Sequence, residues 1–298
     1  MRITQSMLSN NMLNNLSNSY GTMGKLQQQL SSGSKLTRPS DDPVAAVKGM
    51  GYRTTLVKND QFSRNMNEVN GWLDASDSAL TQTNNALKRV KDLMVQASND
   101  TNTDDDRKAM QKEIDQIRQQ IRDVANTQQG DTYIFSGTDV RKPLFADTAG
   151  NAGANDPLPT LQGNMSTVEV EVYDGITFGV NTPAKELFQN IDSMMNEIQQ
   201  ALDGGATGED IGKMITKVQT QSDAVLKVQA GVGAKQNRVD TMMDRLSSQK
   251  ISVTKQLSNN EDVEYEQAIT QLITEESIHR AALSVGAKII RPSLVDFL

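Results

Sequence analysis

Apolar side chains recur along most of the chain at alternating steps of three and four residues. One run begins at Met66, ends at Ala97 and keeps this spacing through ten positions, of which Ser76 and Thr83 are small and polar. Such spacing places side chains on one face of a helix and is typical of the seam along which coiled-coil helices pack. With the residues before it, the run predicts a helix over about residues 43–98.

Three further runs keep the same period, at residues 110–124, 187–201 and 211–253. A helix of the length predicted for residues 43–98 would extend for roughly 80 Å, at about 1.5 Å per residue. A compact chain of this size would be only about 50 Å across. The pattern therefore predicts a mainly α fold, an elongated rod of long antiparallel coiled-coil helices.

The ends of these helices have recognisable signals. Asp42 is a suitable N-cap before Pro43 at the first helical position. Thr103, with Asp106 three residues later, resembles a capping box that opens the next helix. Gly130 is predicted to end that helix.

The helical spacing disappears between about residues 132 and 183. Valines alternate with other side chains over residues 168–172, Asp174-Gly175 follows as a turn signal, and the alternation resumes over residues 176–180. This pattern predicts a β-hairpin. We expect a small β-rich outer domain over 132–183, with residues 140–183 projecting outward.

Both ends of the chain carry a narrow apolar stripe, which predicts a further pair of amphipathic helices. Three domains follow: a terminal polymerisation domain (1–40 plus 260–298), a helical rod (41–131 plus 184–259) and the outer domain (132–183). Because short isolated helices are marginal in water, we expect the terminal segments to be disordered in the soluble monomer and to fold on assembly. The predicted subunit-interface residues are Leu13, Leu16, Leu30, Leu283 and Leu294.

Composition excludes several classes of protein. The net charge of the 298 residues is -7, which argues against nucleic acid as the main partner. Cysteine is absent and there is one histidine, so thiolate zinc sites and histidine-rich metal sites are excluded. No stretch is long and apolar enough for membrane insertion.

The first 40 residues are unusual in charge, because they hold four basic side chains and no Asp or Glu. They also lack the apolar core of a cleaved secretory signal. Two interpretations remain open: an uncleaved export signal, or a helix whose partner is acidic.

Two local patterns suggest ligand binding but have simpler explanations. Asp100, Asn102 and Asp104 resemble the start of an EF-hand loop, but Asp105 stands where that loop needs glycine. Acidic residues at a helix start explain them better. Residues 231–235, GVGAK, suggest a phosphate loop, but their spacing is wrong and they lie within a heptad run. We expect close helix packing at these glycines instead.

Three further positions suggest catalysis or ligand stacking. Asp41 and Asp42 could form an acid–base pair, but capping before Pro43 explains them. His279 could be a catalytic base, but we expect a solvated or interhelical side chain. Trp72 could stack on a ligand, but we expect it to pack at the edge of the seam. We therefore predict no catalytic, cofactor-binding or metal site.

Four segments together resemble the bacterial flagellin superfamily. They are the opening MRIT with QLSSGSKLTRPSDDPVAA (29–46), NDTNTDDDRKAMQKEI (99–114), VGAKQNRVD (232–240) and the ending AKIIRPSLVDFL. Within this family, PSDDPVAA and GDTYIFSGT (130–138) are similar to the branch that joins the flagellar hook to the filament. The resemblance covers the chain except for about residues 140–183.

The resemblance implies a structural protein without enzymatic activity, which leaves the cell by flagellar type III export without signal cleavage. It implies contacts with a hook-associated protein on the hook side, with flagellin on the filament side and with further copies of the chain in a ring. An export chaperone is a further partner that this route allows. The alternatives are a minor filament flagellin and, from another class, a cytosolic coiled-coil adaptor.

Overall fold

The computed structural model describes residues 5–99, 103–146, 161–204 and 207–289. Its helices are α1 (Gln5–Ser32), α2 (Pro43–Ala97), α3 (Asp104–Ala125), α4 (Lys185–Asp203), α5 (Gly208–Glu261) and α6 (Tyr265–Ile289). Its strands are β1 (Gln128–Gln129), β2 (Thr132–Tyr133), β3 (Glu169–Tyr173) and β4 (Ile176–Gly179). The predicted mainly α fold is confirmed.

The chain divides into two compact units. One consists of Met1–Lys58 with Ser248–Leu298, and the other is Asn59–Ser247. Residues 132–183 fall within the second unit, and the three-domain division made from the sequence remains a prediction.

The seam predicted along α2 forms the centre of the second unit. All ten positions of the run from Met66 to Ala97 are fully buried. The hydroxyls of Ser76 and Thr83 donate to the carbonyl oxygens of Trp72 and Ala79, at 2.8 and 2.9 Å. Because these donors are satisfied within the helix, the two polar residues are accommodated in an apolar seam.

The long run of α5 is buried mainly at every seventh residue. The buried positions are Ile211, Val218, Val225, Val232, Val239, Leu246 and Val253. The members of the run that lie between them are half-buried, and most other α5 residues over this range are exposed, as expected for a helix that offers a narrow stripe to its neighbours.

Polar side chains join α2 to α5 within the second unit. Asn59 Nδ2 donates to the carbonyl oxygen of Leu246 at 3.0 Å, and Ser222 Oγ donates to Asn84 Oδ1 at 2.8 Å. Asn84 comes after Asn59 in α2, whereas its partner Ser222 comes before Leu246 in α5. The two helices are therefore antiparallel. Further contacts of this kind are Gln236 to Asp74, Gln229 to Asp77 and Thr81, and Lys91 to Gln219.

A buried ionic network joins α3 to α4. Arg118 and Arg122 each direct two guanidinium nitrogens at the two carboxylate oxygens of Asp192, at 2.8–3.1 Å. Arg118 also donates to Asn196 and Gln199. All three charged side chains are at most 4% exposed. Burial alone would raise the pKa of Asp192, but the hydrogen bonds and positive charges of the two arginines outweigh it and lower that pKa.

The predicted hairpin is present, with β3 and β4 antiparallel and Val170 opposite Phe178. Gly175 takes the positive φ, 74°, that its turn requires. Val172 and Phe178 are buried. The alternation in sequence therefore corresponds to one buried face of the hairpin.

The hairpin packs on α2 and α5, and the outward projection expected for residues 140–183 stays a prediction. The centroid of the Tyr173 ring lies 6.0 Å from that of the Phe62 ring, and the guanidinium of Arg245 lies 4.8 Å from the Tyr173 centroid. Lys235 Nζ donates to the carbonyl oxygens of Gly179 and Asn181, at 3.2 and 3.1 Å. These contacts bury the apolar face of the hairpin against the helices.

The predicted helix starts are confirmed, whereas one predicted end is wrong. Asp42 Oδ1 accepts from the amides of residues 44 and 45, and Thr103 forms a reciprocal capping box with Asp106. Helix α3 ends at Ala125, before Gly130, which lies with a φ of 63° in the turn between β1 and β2. Gly130 is therefore a hairpin residue and not a helix stop.

Candidate subunit interface

Helices α1 and α6 pack against each other in the first unit. Ser19 Oγ donates to Glu275 at 3.3 Å, and the rings of Tyr20 and His279 lie 6.1 Å apart. Near the other end of α1, Gly33 O accepts from the amide of Val263 at 3.0 Å. Residues later in α1 thus meet residues earlier in the C-terminal segment, so the pair is antiparallel.

This pair buries little apolar surface. Among the side chains described in α1, only Leu26 is buried, at 7% exposure, and in α6 only Ala268 and Gly286 are buried. A Cβ added to Gly286 would collide with the Cε of Met12, so the helices approach closely there. A contact this narrow contributes little of the burial that usually stabilises helices of this length.

The outward sides of both helices carry large apolar side chains. The exposed ones are Met7, Leu8, Leu13 and Tyr20 in α1, and Tyr265, Ile269, Ile273, Ile278, Leu283 and Val285 in α6. Apolar exposure on this scale marks a surface that another molecule covers. We therefore take the terminal pair as the candidate subunit interface.

The predicted interface residues occupy two different positions. Leu13 and Leu283 are 56% and 50% exposed, on the outward sides. Leu16 and Leu30 are half-buried and follow the same helical spacing as buried Leu26, which faces α6. Leu294 lies outside the described residues. The assignment of all five to an interface between subunits stays a prediction.

A loop between α1 and α2 fastens the terminal pair to α2 and α5. Lys35 N donates to Glu261 O at 2.6 Å, and Gln29 Nε2 donates to Lys35 O at 2.8 Å. Glu261 also pairs with Arg53 Nη2 at 2.5 Å. The segment 33–42, which carries part of the family resemblance, thus contacts α1, α2, α5 and Val263, which precedes α6.

Asp41 organises this loop. Its carboxylate accepts from Lys25 Nζ at 3.0 Å, from Thr37 Oγ1 at 2.9 Å and from Arg38 N at 3.0 Å. The hydrogen bond from Lys25 is the main reason that the pKa of Asp41 falls to about 2. The carboxylate is therefore ionised and holds the loop in place above that pH.

A side chain at Gly49 should displace that of Glu261. A Cβ there would collide with Glu261 Oε1, whereas one at Gly51, two residues along α2, would meet open space. Because this carboxylate is the end of a flexible side chain, we expect Gly49→Ala to move it away from Arg53. The loss of this ion pair, which is exposed at Arg53, should leave Gly49→Ala up to about 1 kcal/mol less stable than Gly51→Ala.

Gly51→Ala is the matched control, and the better helix propensity of alanine should stabilise the unit by up to about 1 kcal/mol. Amide hydrogen exchange at Lys35 and Val263, both hydrogen-bonded within this loop, measures the difference. It should accelerate in Gly49→Ala and not in Gly51→Ala. Equal exchange in the two variants would contradict the assigned contact.

A groove of about 320 Å³ lies beside the loop. Leu36, Pro39, Ala46 and Met50 form its apolar lining, and Arg38, Arg53 and Glu261 also border it. We call it the loop groove. On the same side of α2 as Met50, Val47 and Val57 are 64% and 67% exposed. The sequence interpretation missed this surface, although its spacing of three and seven residues from Met50 is visible in the sequence.

The alternatives of ligand binding and catalysis find no support in the described part of the chain. There, no cluster of three or more His, Asp or Glu side chains could hold a metal ion. Asp100 and Asn102 lie outside that part. His279 is half-buried beside Tyr20, and Trp72 is buried in the seam as predicted.

Residues 231–235 are helical, since they lie within α5, and a phosphate loop does not adopt this conformation. The expected close packing at their glycines is nevertheless wrong, since a Cβ at Gly231 or Gly233 would meet open space. Among the described residues, none of the helices is long and apolar enough to span a bilayer.

Known protein families and proteins are similar to this chain in sequence. Family models of the bacterial flagellin N-terminal and C-terminal helical regions match residues 3–139 and 215–298. Flagellar hook-associated protein 3 of Salmonella typhimurium (strain LT2) is 24% identical over 300 residues, which cover 95% of each chain. Flagellin of Clostridium tyrobutyricum is 31% identical over 166 residues, which cover 56% of this chain and 42% of that protein.

The crystal structure of FlgL from Bacillus cereus shares the fold, with a TM-score of 0.59 and 22% identity. The match covers 70% of this chain and 99% of that one.

Proposed function

Because the chain belongs to the bacterial flagellin family, whose members are structural proteins and not enzymes, we propose that it joins the flagellar hook to the filament. In this role it contacts a hook-associated protein on one side and flagellin on the other, and copies of the chain form a ring. The single observation that carries the proposal is the exposed apolar surface of the terminal pair, which is typical of a surface that other protein molecules cover.

The extent of the sequence matches favours this role over that of a minor filament flagellin. The match to hook-associated protein 3 runs over 95% of both chains, whereas the match to the Clostridium tyrobutyricum flagellin covers 42% of that protein. The match therefore spans nearly all of the hook-associated protein but less than half of that flagellin.

Assembly follows from the narrow contact between α1 and α6. With so few buried side chains, the pair is marginal in an isolated subunit, and contacts with neighbours supply the burial that stabilises it. A marginal pair also unfolds readily for passage through a narrow type III export channel. The first 40 residues, which lack acidic groups, suit that route.

Electron microscopy of a strain that lacks the gene tests the proposed role. We expect intact hooks, no attached filaments, and unassembled flagellin in the medium. Abundant filaments on the mutant cells would contradict the junction role and favour the minor flagellin.

The same strain, complemented with variants, tests the terminal interface. The double variant Leu13→Gln, Leu283→Gln should fail to restore filaments, because polar groups replace apolar ones at a buried contact between subunits. Since both leucines are already exposed in the single chain, the melting temperature of the purified subunit should stay within about 2 °C of the parent. Leu226→Gln, an exposed leucine of the second unit, is the control and should restore filaments.

A further inference from the structure

Two unpartnered surfaces of the first unit are complementary in polarity and charge. One is the loop groove, and the other is an edge of α6 formed by Glu266, Ile269 and Ile273. We call this edge the α6 ridge. We propose that, as the chain assembles, the α6 ridge of one copy docks in the loop groove of a second copy. This inference deepens the proposed function and rests on it.

The α6 ridge points away from α1. Its three residues follow one another at steps of three and four, so they lie on one side of the helix. At about 100° per residue, they lie roughly 100–160° around the helix from Ala268, which faces α1. Ile269 and Ile273 are 45% and 58% exposed. The α1–α6 pairing therefore leaves these two isoleucines without a cover.

The loop groove offers an apolar floor of suitable size. Met50 is 60% exposed, and Leu36, Pro39 and Ala46 complete the lining. Insertion of an amphipathic helix into an apolar groove, anchored by residues at steps of three and four, is a common mode of protein recognition. Two isoleucine side chains are anchors of the size that such a groove takes.

Charge selects the occupant. Arg53 at the groove is neutralised by Glu261, but no carboxylate of the described residues pairs with the guanidinium of Arg38. On the α6 ridge, the carboxylate of Glu266 likewise has no cationic partner in the described part of the chain. An Arg38–Glu266 pair between two copies would satisfy both groups.

When the groove of one copy takes the ridge of a second copy, and the groove of that second copy takes the ridge of a third, the contact is heterologous. Contacts of this type pass from copy to copy and generate closed rings or helices, whereas reciprocal pairing of groove and ridge about a two-fold axis would stop at a dimer. A single groove-and-ridge contact thus suffices to propagate the assembly.

Cross-linking in assembled flagella tests the contact, and the natural absence of cysteine makes it specific. Cells that lack the chromosomal gene would produce Met50→Cys and Ile273→Cys as separate chains. Sheared flagella would then be treated with a short bis-maleimide, and cross-linked products would be detected with an antibody against the chain. We expect a two-chain product in the mixture, at least tenfold more abundant than with either variant alone.

Several outcomes would overturn the inference. The first is that no two-chain product forms although both variants are present in the flagella. The second is that one variant alone gives as much product as the mixture. The third is that Met50→Cys is cross-linked to a different protein. The control pair, Val95→Cys with Ile273→Cys, should give no product, since Val95 is exposed in the second unit. If neither variant occurs in purified flagella, the proposed function itself fails.

A charge exchange tests the pairing in the same assay. Arg38→Glu and Glu266→Arg should each lower the yield of the two-chain product by about tenfold, because like charges would then face each other. The chain that carries both substitutions should recover it. Loss in both single variants without recovery in the double variant would contradict the Arg38–Glu266 pair.

Discussion

Replacing Asp192 with alanine is expected to lower the free energy of unfolding of the second unit by about 3–5 kcal/mol, because two buried arginines lose the carboxylate that they share. The side chains of Arg118 and Arg122 are at most 2% exposed, so water cannot replace the lost carboxylate of Asp192 without opening the core. Urea unfolding followed by the fluorescence of Trp72, the single tryptophan, measures the change. Asp223→Ala, an exposed residue of α5, is the control and should change stability by less than about 0.5 kcal/mol.

The effect should depend on pH in a defined direction. The pKa of Asp192 is lowered in the folded state, so its stabilising contribution is fully present above the ordinary aspartate pKa of about 3.9. The contribution declines as the pH falls below that value and is lost once the pH passes the lowered pKa. The difference between the parent and Asp192→Ala should therefore shrink below about pH 4. A difference that stays constant down to pH 2 would show that the carboxylate charge is not the cause.

Replacing Leu80 or Leu87 with alanine is expected to lower the free energy of unfolding by about 2–5 kcal/mol. Both leucines are fully buried in the seam of α2, so truncation removes apolar contacts and leaves a cavity in a core that relaxes only in part. The same urea titration measures the loss.

Leu226→Ala provides the comparison, since Leu226 is 45% exposed on α5. That variant should lose less than about 1 kcal/mol. If Leu80→Ala and Leu226→Ala cost the same, the seam does not carry the stability assigned to it.

The seams were predictable because helical periodicity and burial have the same origin. A helix that packs along one stripe must repeat apolar residues every three or four positions, so ten residues of α2 could be assigned to the core from spacing alone. Helix starts were predictable for a similar reason, since capping depends on residues that are adjacent in sequence, as with Asp42 and Pro43.

Contacts between distant segments were not predictable in this way. Arg118 and Arg122 lie four residues apart, which is visible in the sequence, but Asp192 follows 70 residues later and nothing local pairs it with them. The hairpin shows the same limit. Its alternation identifies Val172 and Phe178 as the buried face, but periodicity does not state which surface covers that face.

The candidate interface was predicted only in part, because one stripe in sequence became two faces in space. Leu13 and Leu16 are three residues apart and both belong to the apolar stripe, yet Leu16 is half-buried and Leu13 is exposed. Only the position of α6 distinguishes them. The loop groove depends on residues from a loop and a helix, and its lining could not be assembled from either segment alone.

The polar contacts between α2 and α5 have a consequence for register. Because α5 buries the same kind of residue at every seventh position, sliding it by one heptad along α2 would still place valine, leucine or isoleucine in the seam. Such a slip would, however, separate the side chain of Asn84 from that of Ser222. Buried polar groups that lose their partners penalise the slipped alignment, as a single polar residue does in other coiled coils. The buried apolar side chains of α5 thus stabilise packing in many alignments, and a few amide and hydroxyl groups select one of them.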